Sequence, residues 1–504
     1  VKRGEGDDPE VSEAIAAKVL AYSQLKKEKV DQAHVLAKGL SALAEWSNLV
    51  QHYRTAYSRA LEATRLRSGE FAPLLQRQET PKVDLRASVP PPRWTRMVVQ
   101  RNIPEKLLHL DELASNLWWC WQPDAEELFA SIDRQAWVAC EGNPVMLLDH
   151  IPYARLEQLG QDKEFLYRLE GVYERFRAYM EAAEKKSPTS IGYFSMEYGL
   201  HSSLKLYSGG LGVLAGDYLK EASDQNLNLI AVGLLYRYGY FTQQLSLGGQ
   251  QLASYNHQNF SQTPIFPVRD AEGNWITIEV AFPGRRVQVR LWRVMVGRIP
   301  LFLLDTDFEG NSEEDRTITH YLYGGDQENR FKQEMILGIG GVRALQAAGC
   351  ETELYHLNEG HAAFAALERL RLLMHEQHYN FEEARELVRA STLFTTHTPV
   401  PAGHDTFTED MVRIYMAHYP ARYDISWERF ISFGRMHPND STERFSMSHL
   451  AASFASGMNG VSKLHGEVSQ KMFAGLWPGY SPSENNVGYV TNGVHYPTWT
   501  SPSW

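Results

Sequence analysis

From residue 191 onward one pattern recurs without any repeat of sequence: a short apolar run, a polar or glycine-rich turn, then apolar residues at helical spacing. The clearest copy begins with IGYFSM at 191–196 and continues through Tyr207-Ser-Gly-Gly-Leu-Gly212. Leu211, Leu214, Tyr218, Leu219 and Ala222 then share one helical face. Apolar runs bounded in this way, such as 229–235, are strands buried on both faces. Strands that alternate with helices predict a mainly parallel sheet, hence an α/β fold. Glycines at a helix start let the backbone approach a ligand, and the helix dipole there favours an anion. A plain strand-to-helix turn is the alternative, because Gly210-x-Gly212-x-x-Ala215 is only a loose dinucleotide-type pattern.

The preceding sequence is helical in character. Val11, Ile15, Val19 and Tyr22 repeat on one face, and Leu36, Leu40, Leu43, Val50, Tyr53, Tyr57 and Leu61 on another. Pro73, Pro81 and the triple proline at 90–92 favour extended, stiff chain, so residues 69–97 read as a linker between a helical segment, 1–68, and a second helical domain, 98–188. In that domain Leu107, Leu110, Leu113, Leu117 and Trp121 share a helical face, and Trp118, Trp119 and Trp121 read as core. Within 189–504 one stretch differs. Ile276, Ile278 and Val280, then Val287, Val289 and Leu291, alternate with polar neighbours, which predicts an antiparallel meander inserted into the α/β core.

A net charge of −11 argues against a nucleic-acid or anionic-membrane surface. No apolar run approaches the ~20 residues of a membrane span, and the polar first residues do not read as a signal peptide. Three scattered cysteines fit a reducing, cytoplasmic setting and offer no disulfide or metal framework.

Four polar clusters each follow a predicted buried strand. They are the glycine loop, Asn358-Glu-Gly-His361, the run from Thr395 through His397 to His404 and Asp405, and Thr491-Asn492-Gly493. Open α/β sheets bind ligands outside the carboxyl ends of their strands, so polar residues at four such ends predict a shared cleft. A zinc site is not expected. His356 and His361 are five residues apart rather than four, and no cysteine is near them. Nor does a Gly-x-Ser-x-Gly elbow suggest a serine triad.

In this order the clusters resemble the α-glucan (glycogen, starch or maltodextrin) phosphorylases. The motifs that carry the resemblance are YFSMEYG, YSGGLGVLAGDYLKEA, LLYRYGYFTQ, YLYGGDQENRFKQE, LNEGHAA, TTHTPVPAGHD and YVTNGVH. Residues 101–186 resemble the helical domain of the shorter bacterial and archaeal members, and residues 1–67 more weakly resemble the tail of a glycogen-synthase-type glycosyltransferase. The resemblance implies a Rossmann-like, doubly wound sheet that is the first half of a two-domain GT-B glycosyltransferase. It implies phosphorolysis of terminal α-1,4-glucosidic bonds with inorganic phosphate, releasing glucose 1-phosphate, and pyridoxal phosphate as cofactor, its Schiff-base lysine lying beyond residue 504. Gly209, Gly210, Leu211 and Gly212 would face the coenzyme and substrate phosphates, with Tyr198 beside them. His397 would be the catalytic residue, its ring on the sugar 6-hydroxyl and its carbonyl facing the developing positive charge. Asn492 would bind the same glucose, while Asn358, Glu359 and His361 would flank its pocket. This chain has Asn-Glu-Gly-His where many members have Asn-Asp-Thr-His. Asp326 would sit in the gating loop. The implied partners are the glucan, phosphate and the chain's own second catalytic domain, and a homodimer is allowed.

Two other readings remain open on sequence. The chain could be a non-catalytic glucan-binding scaffold that keeps this half of the cleft, or one part of a fused synthase–phosphorylase polypeptide.

Overall fold

The structure is a computed structural model that describes scattered positions within 13–32 and then residues 46–71, 101–182, 188–400 and 403–500. The helical repeat at Val11, Ile15, Val19 and Tyr22, that at Leu36, Leu40 and Leu43, and the proline-rich stretch 72–97 lie outside the described residues.

Helix α1, Trp46–Phe71, passes through Gly69 and takes in the first three residues of the linker read from the sequence. Its Val50, Tyr53, Tyr57 and Leu61 are buried, the helical stripe expected of a docked amphipathic helix. The 101–182 region is helical and ends in α2, Lys163–Glu181. The expected single helix through the tryptophan cluster is broken. A helix over His109–Ala114 stops and a tighter turn over Leu117–Trp121 follows. The cause is Asn116. Its side chain accepts from the Trp118 amide at 2.9 Å, also accepts from the Gly297 amide at 2.9 Å, and donates to the Gly297 carbonyl at 3.0 Å. The break costs no burial, because Leu117 and all three tryptophans remain in the core.

The main sheet starts with β1, Ile191–Ser195, then α3, Gly210–Asp224, and β2, Leu229–Leu234. A separate exposed hairpin follows, β3 (Thr242–Leu245) and β4 (Gln251–Ser254). The sheet resumes with β5 (Phe266–Pro267), β6 (Thr277–Phe282), β7 (Arg285–Val296) and β8 (Ile299–Asp305). Helix α4, Gln327–Met335, runs through a π turn at Ile336–Gly340 into α5, Gly341–Ala347. Strand β9, Leu354–Asn358, is followed by α6, Ala365–Glu376, α7, Phe381–Ala390, and β10, Thr392–Thr396. A short ladder of β11 (Thr406–Phe407) and β12 (Phe445–Ser446) precedes β13, Gly457–Gly460, and β14, Val487–Tyr489.

The strand order is β14-β13-β10-β9-β1-β2-β8-β7-β5, with β6 on β7, and it is parallel from β14 to β8. The predicted meander is antiparallel, but it is no separate layer. β8 pairs antiparallel with β7 on one edge and parallel with β2 on the other, so the meander prolongs the main sheet. The order reverses at the centre. From β1 the chain moves to β2 on one side, and from β9 to β10 on the other, which opens a crevice at the carboxyl ends of β1 and β9.

Candidate active site

The crevice is bridged by one side chain. Ser195, the last residue of β1, is in register with Asn358, the last of β9, and Asn358 Nδ2 donates to Ser195 Oγ at 3.1 Å. Ser195 Oγ gives its own proton to the Glu197 carbonyl, 2.9 Å away, so the amide orientation of Asn358 is set. Its Oδ1 therefore accepts from His397 Nε2 at 2.6 Å. Burial, the largest influence on the His397 ring, lowers its pKa to about 4. The ring is thus neutral at physiological pH, with its proton on Nε2. Nδ1, which makes no hydrogen bond among the described residues, is left as an acceptor.

Glu359 shapes the same strand tips without being free itself. It has a φ of 71°, a left-handed conformation unusual for a non-glycine residue, and its N–H is tied to the Thr395 carbonyl at 2.8 Å. Its carboxylate accepts from the amides of His397 (2.8 Å), Thr398 (3.1 Å) and Gly360 (3.3 Å), and from the hydroxyls of Thr398 and Thr396. Burial opposes its ionisation, but the surrounding imidazoles and the His397 amide outweigh that and hold its pKa below the ordinary value. A carboxylate with five donors is a clamp on the His397 backbone rather than a ligand or a nucleophile.

On the other lip, α3 begins at Gly210, and no side chain caps it. The glycines there have two different duties. A Cβ on Gly212 would come within 2.4 Å of Tyr207 Cβ, and one on Gly216 within 1.9 Å of the Gly199 carbonyl, so these two allow the helix to seat on the backbone leaving β1. Gly209 and Gly210 face open space. The Gly209 amide does not point at a ligand as expected. With the Ser208 amide it donates to Glu197, at 3.2 and 2.7 Å. The first-turn amides of Gly210 and Leu211 are the ones left for an anion.

Tyr198 departs further from expectation. It is buried, its hydroxyl donates to the Val232 carbonyl at 2.8 Å, and it is core rather than a phosphate contact. Asp326 is an exposed N-cap of α4, accepting from the Asn329 amide at 2.9 Å. Asn492 has an exposed side chain, and its amide holds the Val461 carbonyl at 2.9 Å, which sets it beyond the tip of β13.

His361 belongs to a buried ionic cluster. Its Nδ1 lies 3.0 Å from Asp405 and 3.4 Å from Glu334, and Arg330 pairs with Asp405. Burial disfavours the imidazolium, but the two carboxylates outweigh it and push the His361 pKa up to about 9. Burial, with Asp405 nearby, raises Glu334 to about 8. Glu334, His361 and Asp405 lie close enough to share a metal ion, but Arg330 already supplies the cation. Its guanidinium stacks 4.5 Å over Tyr323, whose hydroxyl donates to Glu197, so the cluster is wired back to the glycine loop.

Sequence reasoning missed Glu197 and Tyr323, although both lie inside quoted motifs. It also missed an aromatic cavity of about 490 Å³ beside Ser208, lined by Tyr240, Phe241, Tyr255, Tyr321 and Tyr323.

Residues 347–503 match the family model described as carbohydrate phosphorylase. Residues 103–204 match one described as a protein of unknown function (DUF3417). The chain is 42% identical over 435 residues to a glycogen phosphorylase from Mycobacterium tuberculosis, covering 81% of this chain and 50% of that one. It is 42% identical over 408 residues to the maltodextrin phosphorylase of Thermococcus litoralis (80% and 48%), and 37% identical over 393 residues to a glycogen phosphorylase from Aquifex aeolicus (77% and 56%). The chain is therefore similar over most of its length to α-glucan phosphorylases. It spans about half the length of these curated relatives. Among the described residues, no helix is long and apolar enough to cross a membrane.

Proposed function

We propose that this chain forms one wall of the active site of an α-glucan phosphorylase, which splits a terminal α-1,4-glucosidic bond with inorganic phosphate and releases glucose 1-phosphate. The observation that carries this reading is the state of the cleft's carboxylates. Glu359 and Glu197 are saturated by hydrogen bonds, and Asp405 is held by Arg330 and His361. Hydrolysis of a glycosidic bond usually takes two free carboxylates across it. None of these three is free for that role, which fits an acid and a nucleophile that arrive with the ligand, and the uncapped start of α3 suits a phosphate.

In this reading His397 Nδ1 accepts from a sugar hydroxyl, and its backbone, clamped by Glu359, turns a carbonyl dipole toward the charge that develops at the anomeric carbon. Leu211 and Gly210 offer amides to the anion, Asn492 and Asn358 border the glucose, and the aromatic cavity takes further sugar rings by stacking. The residues present suit the phosphate of pyridoxal phosphate at the same amides. The buried lysines described here do not suit a Schiff base. Lys220 donates to Thr498 at 3.2 Å, and Lys332 is paired with Glu314 and Glu328. We place that lysine, and the fold's second GT-B domain, outside residues 1–504. Bound there, the cofactor would supply a phosphate that exchanges protons with the substrate phosphate. Residues 1–68 as a synthase-like tail, 69–97 as linker and 98–188 as an accessory helical domain complete the proposed organisation of a cytoplasmic enzyme.

The test is product identity. Full-length protein given maltoheptaose and phosphate should release α-glucose 1-phosphate, detected by phosphorus NMR. Release of free glucose independent of phosphate would contradict the reading.

A further inference from the structure

Helix α1 packs against α3, α7, β9 and β10, and it brings polar groups into the core behind the site. Tyr57 Oη lies 2.7 Å from Tyr218 Oη and 2.5 Å from His356 Nδ1. His356 Nε2 is 2.8 Å from Thr395 Oγ1, which donates to Asn459 Oδ1 at 2.9 Å. Asn459 Nδ2 donates to the Gly460 carbonyl at 3.2 Å, and that carbonyl also takes the Val490 amide at 2.9 Å.

From Asn459 back to Tyr57 the proton directions follow one from another. The Gly460 carbonyl fixes which way the Asn459 amide faces, so Thr395 must donate to it. With that proton committed, Thr395 accepts from His356, which puts the imidazole proton on Nε2 and makes Nδ1 the acceptor of the Tyr57 hydroxyl, while the Tyr53 hydroxyl of the same helix also bonds to Thr395 and Asn459. Burial lowers the His356 pKa to about 3, so the ring does not change charge under physiological conditions. Tyr57, Tyr218, His356, Thr395 and Asn459 are all buried. Apolar residues would pack here without any need to satisfy polar atoms, whereas a buried polar chain is costly unless every member is paired and the whole is aligned. Its ends explain why alignment matters. The Thr395 carbonyl holds the Glu359 amide, two residues before His397, and Val490 leads into the turn that carries Asn492.

We propose that Tyr57 is a positioning residue for the site: supplied by a helix remote in sequence, it satisfies the buried Nδ1 of His356 and so holds in place a hydrogen-bond chain whose far end lies at the strand tips carrying His397 and Asn492. The helix that precedes the catalytic region is then part of the machinery, not an appended domain. Only the kinetic arm of the test rests on the phosphorylase reading.

The experiment is nitrogen-15 NMR of histidine-labelled full-length protein, wild type against Tyr57→Phe, with thermal stability measured alongside. The phenylalanine keeps the ring and removes only the hydroxyl. The His356 Nδ1 resonance should shift to that of an unbonded imine nitrogen, and the His397 ring resonances should shift with it. A His356 shift with His397 unmoved would overturn the proposal. If Tyr57→Phe does not fold, Tyr218→Phe leaves the Tyr57–His356 bond but removes the donor behind it. Smaller displacements at both histidines are then expected, and none at His397 overturns the proposal. In phosphorolysis, Tyr57→Phe should lower kcat about tenfold with KM for glucan unchanged, and retained kcat would count against it. Should the wild-type protein release no glucose 1-phosphate, the phosphorylase reading falls and the NMR arm alone decides on Tyr57.

Discussion

At the scale of single residues, the site rests on the neutrality and tautomer of His397. Burial keeps the ring neutral, and Asn358 sets the tautomer by offering an acceptor without a charge. Asn358→Asp would put a carboxylate against Nε2 and favour the imidazolium, whose Nδ1 is a donor and can no longer accept. The ordinary histidine pKa is near 6.5 and the present one is about 4. In the variant the pKa should rise, and activity should be lost below the new value and partly recovered above it. The check is the pH profile of kcat in the full-length protein, and an unshifted profile would remove Asn358 from this role. The positions of Asn358 and His397 were legible because each lies in a polar cluster that follows a buried apolar run. The saturation of Glu359 was not, because its five donors come from backbone and hydroxyls up to 39 residues away. Tyr198 was misread because a tyrosine in a glycine-rich motif looks the same in sequence whether its hydroxyl meets a ligand or the Val232 carbonyl.

At the scale of elements, α3 carries two classes of glycine, and the sequence string YSGGLGVLAG does not separate them. Gly216 meets the Gly199 backbone and Gly210 meets nothing. Gly216→Ala should therefore destabilise the fold by about 1–3 kcal/mol through overpacking, seen as a lower urea midpoint. A neutral effect would mean that α3 does not seat as described. The alternating pattern at 276–291 revealed antiparallel strands, yet not that β8 would pair with β2, since edge partners are chosen in three dimensions. The break at Asn116 was hidden for a related reason, for its cause is Gly297, 181 residues away.

At the scale of the whole molecule, the parallel strands β1, β9, β10 and β13–β14 bring four sequence-distant turns to one end of the sheet, and the alternation of strand and helix foretold that much. How α1 docks was not foretold, because a buried hydrogen-bond chain leaves no periodic trace beyond an amphipathic stripe. In the function proposed above, the crevice receives an anion on the Gly210 and Leu211 amides while its carboxylates stay engaged. Gly210→Ala tests it most directly. Gly210 opens α3 without a positive φ and with no atom near its missing Cβ, so alanine is compatible with the fold and stability should hold or rise by up to about 1 kcal/mol. The methyl group would, however, stand where the anion approaches. Measured in the full-length protein, thermal stability should be maintained while the phosphate concentration for half-maximal phosphorolysis rises severalfold. Lowered stability with an unchanged phosphate dependence would contradict the account.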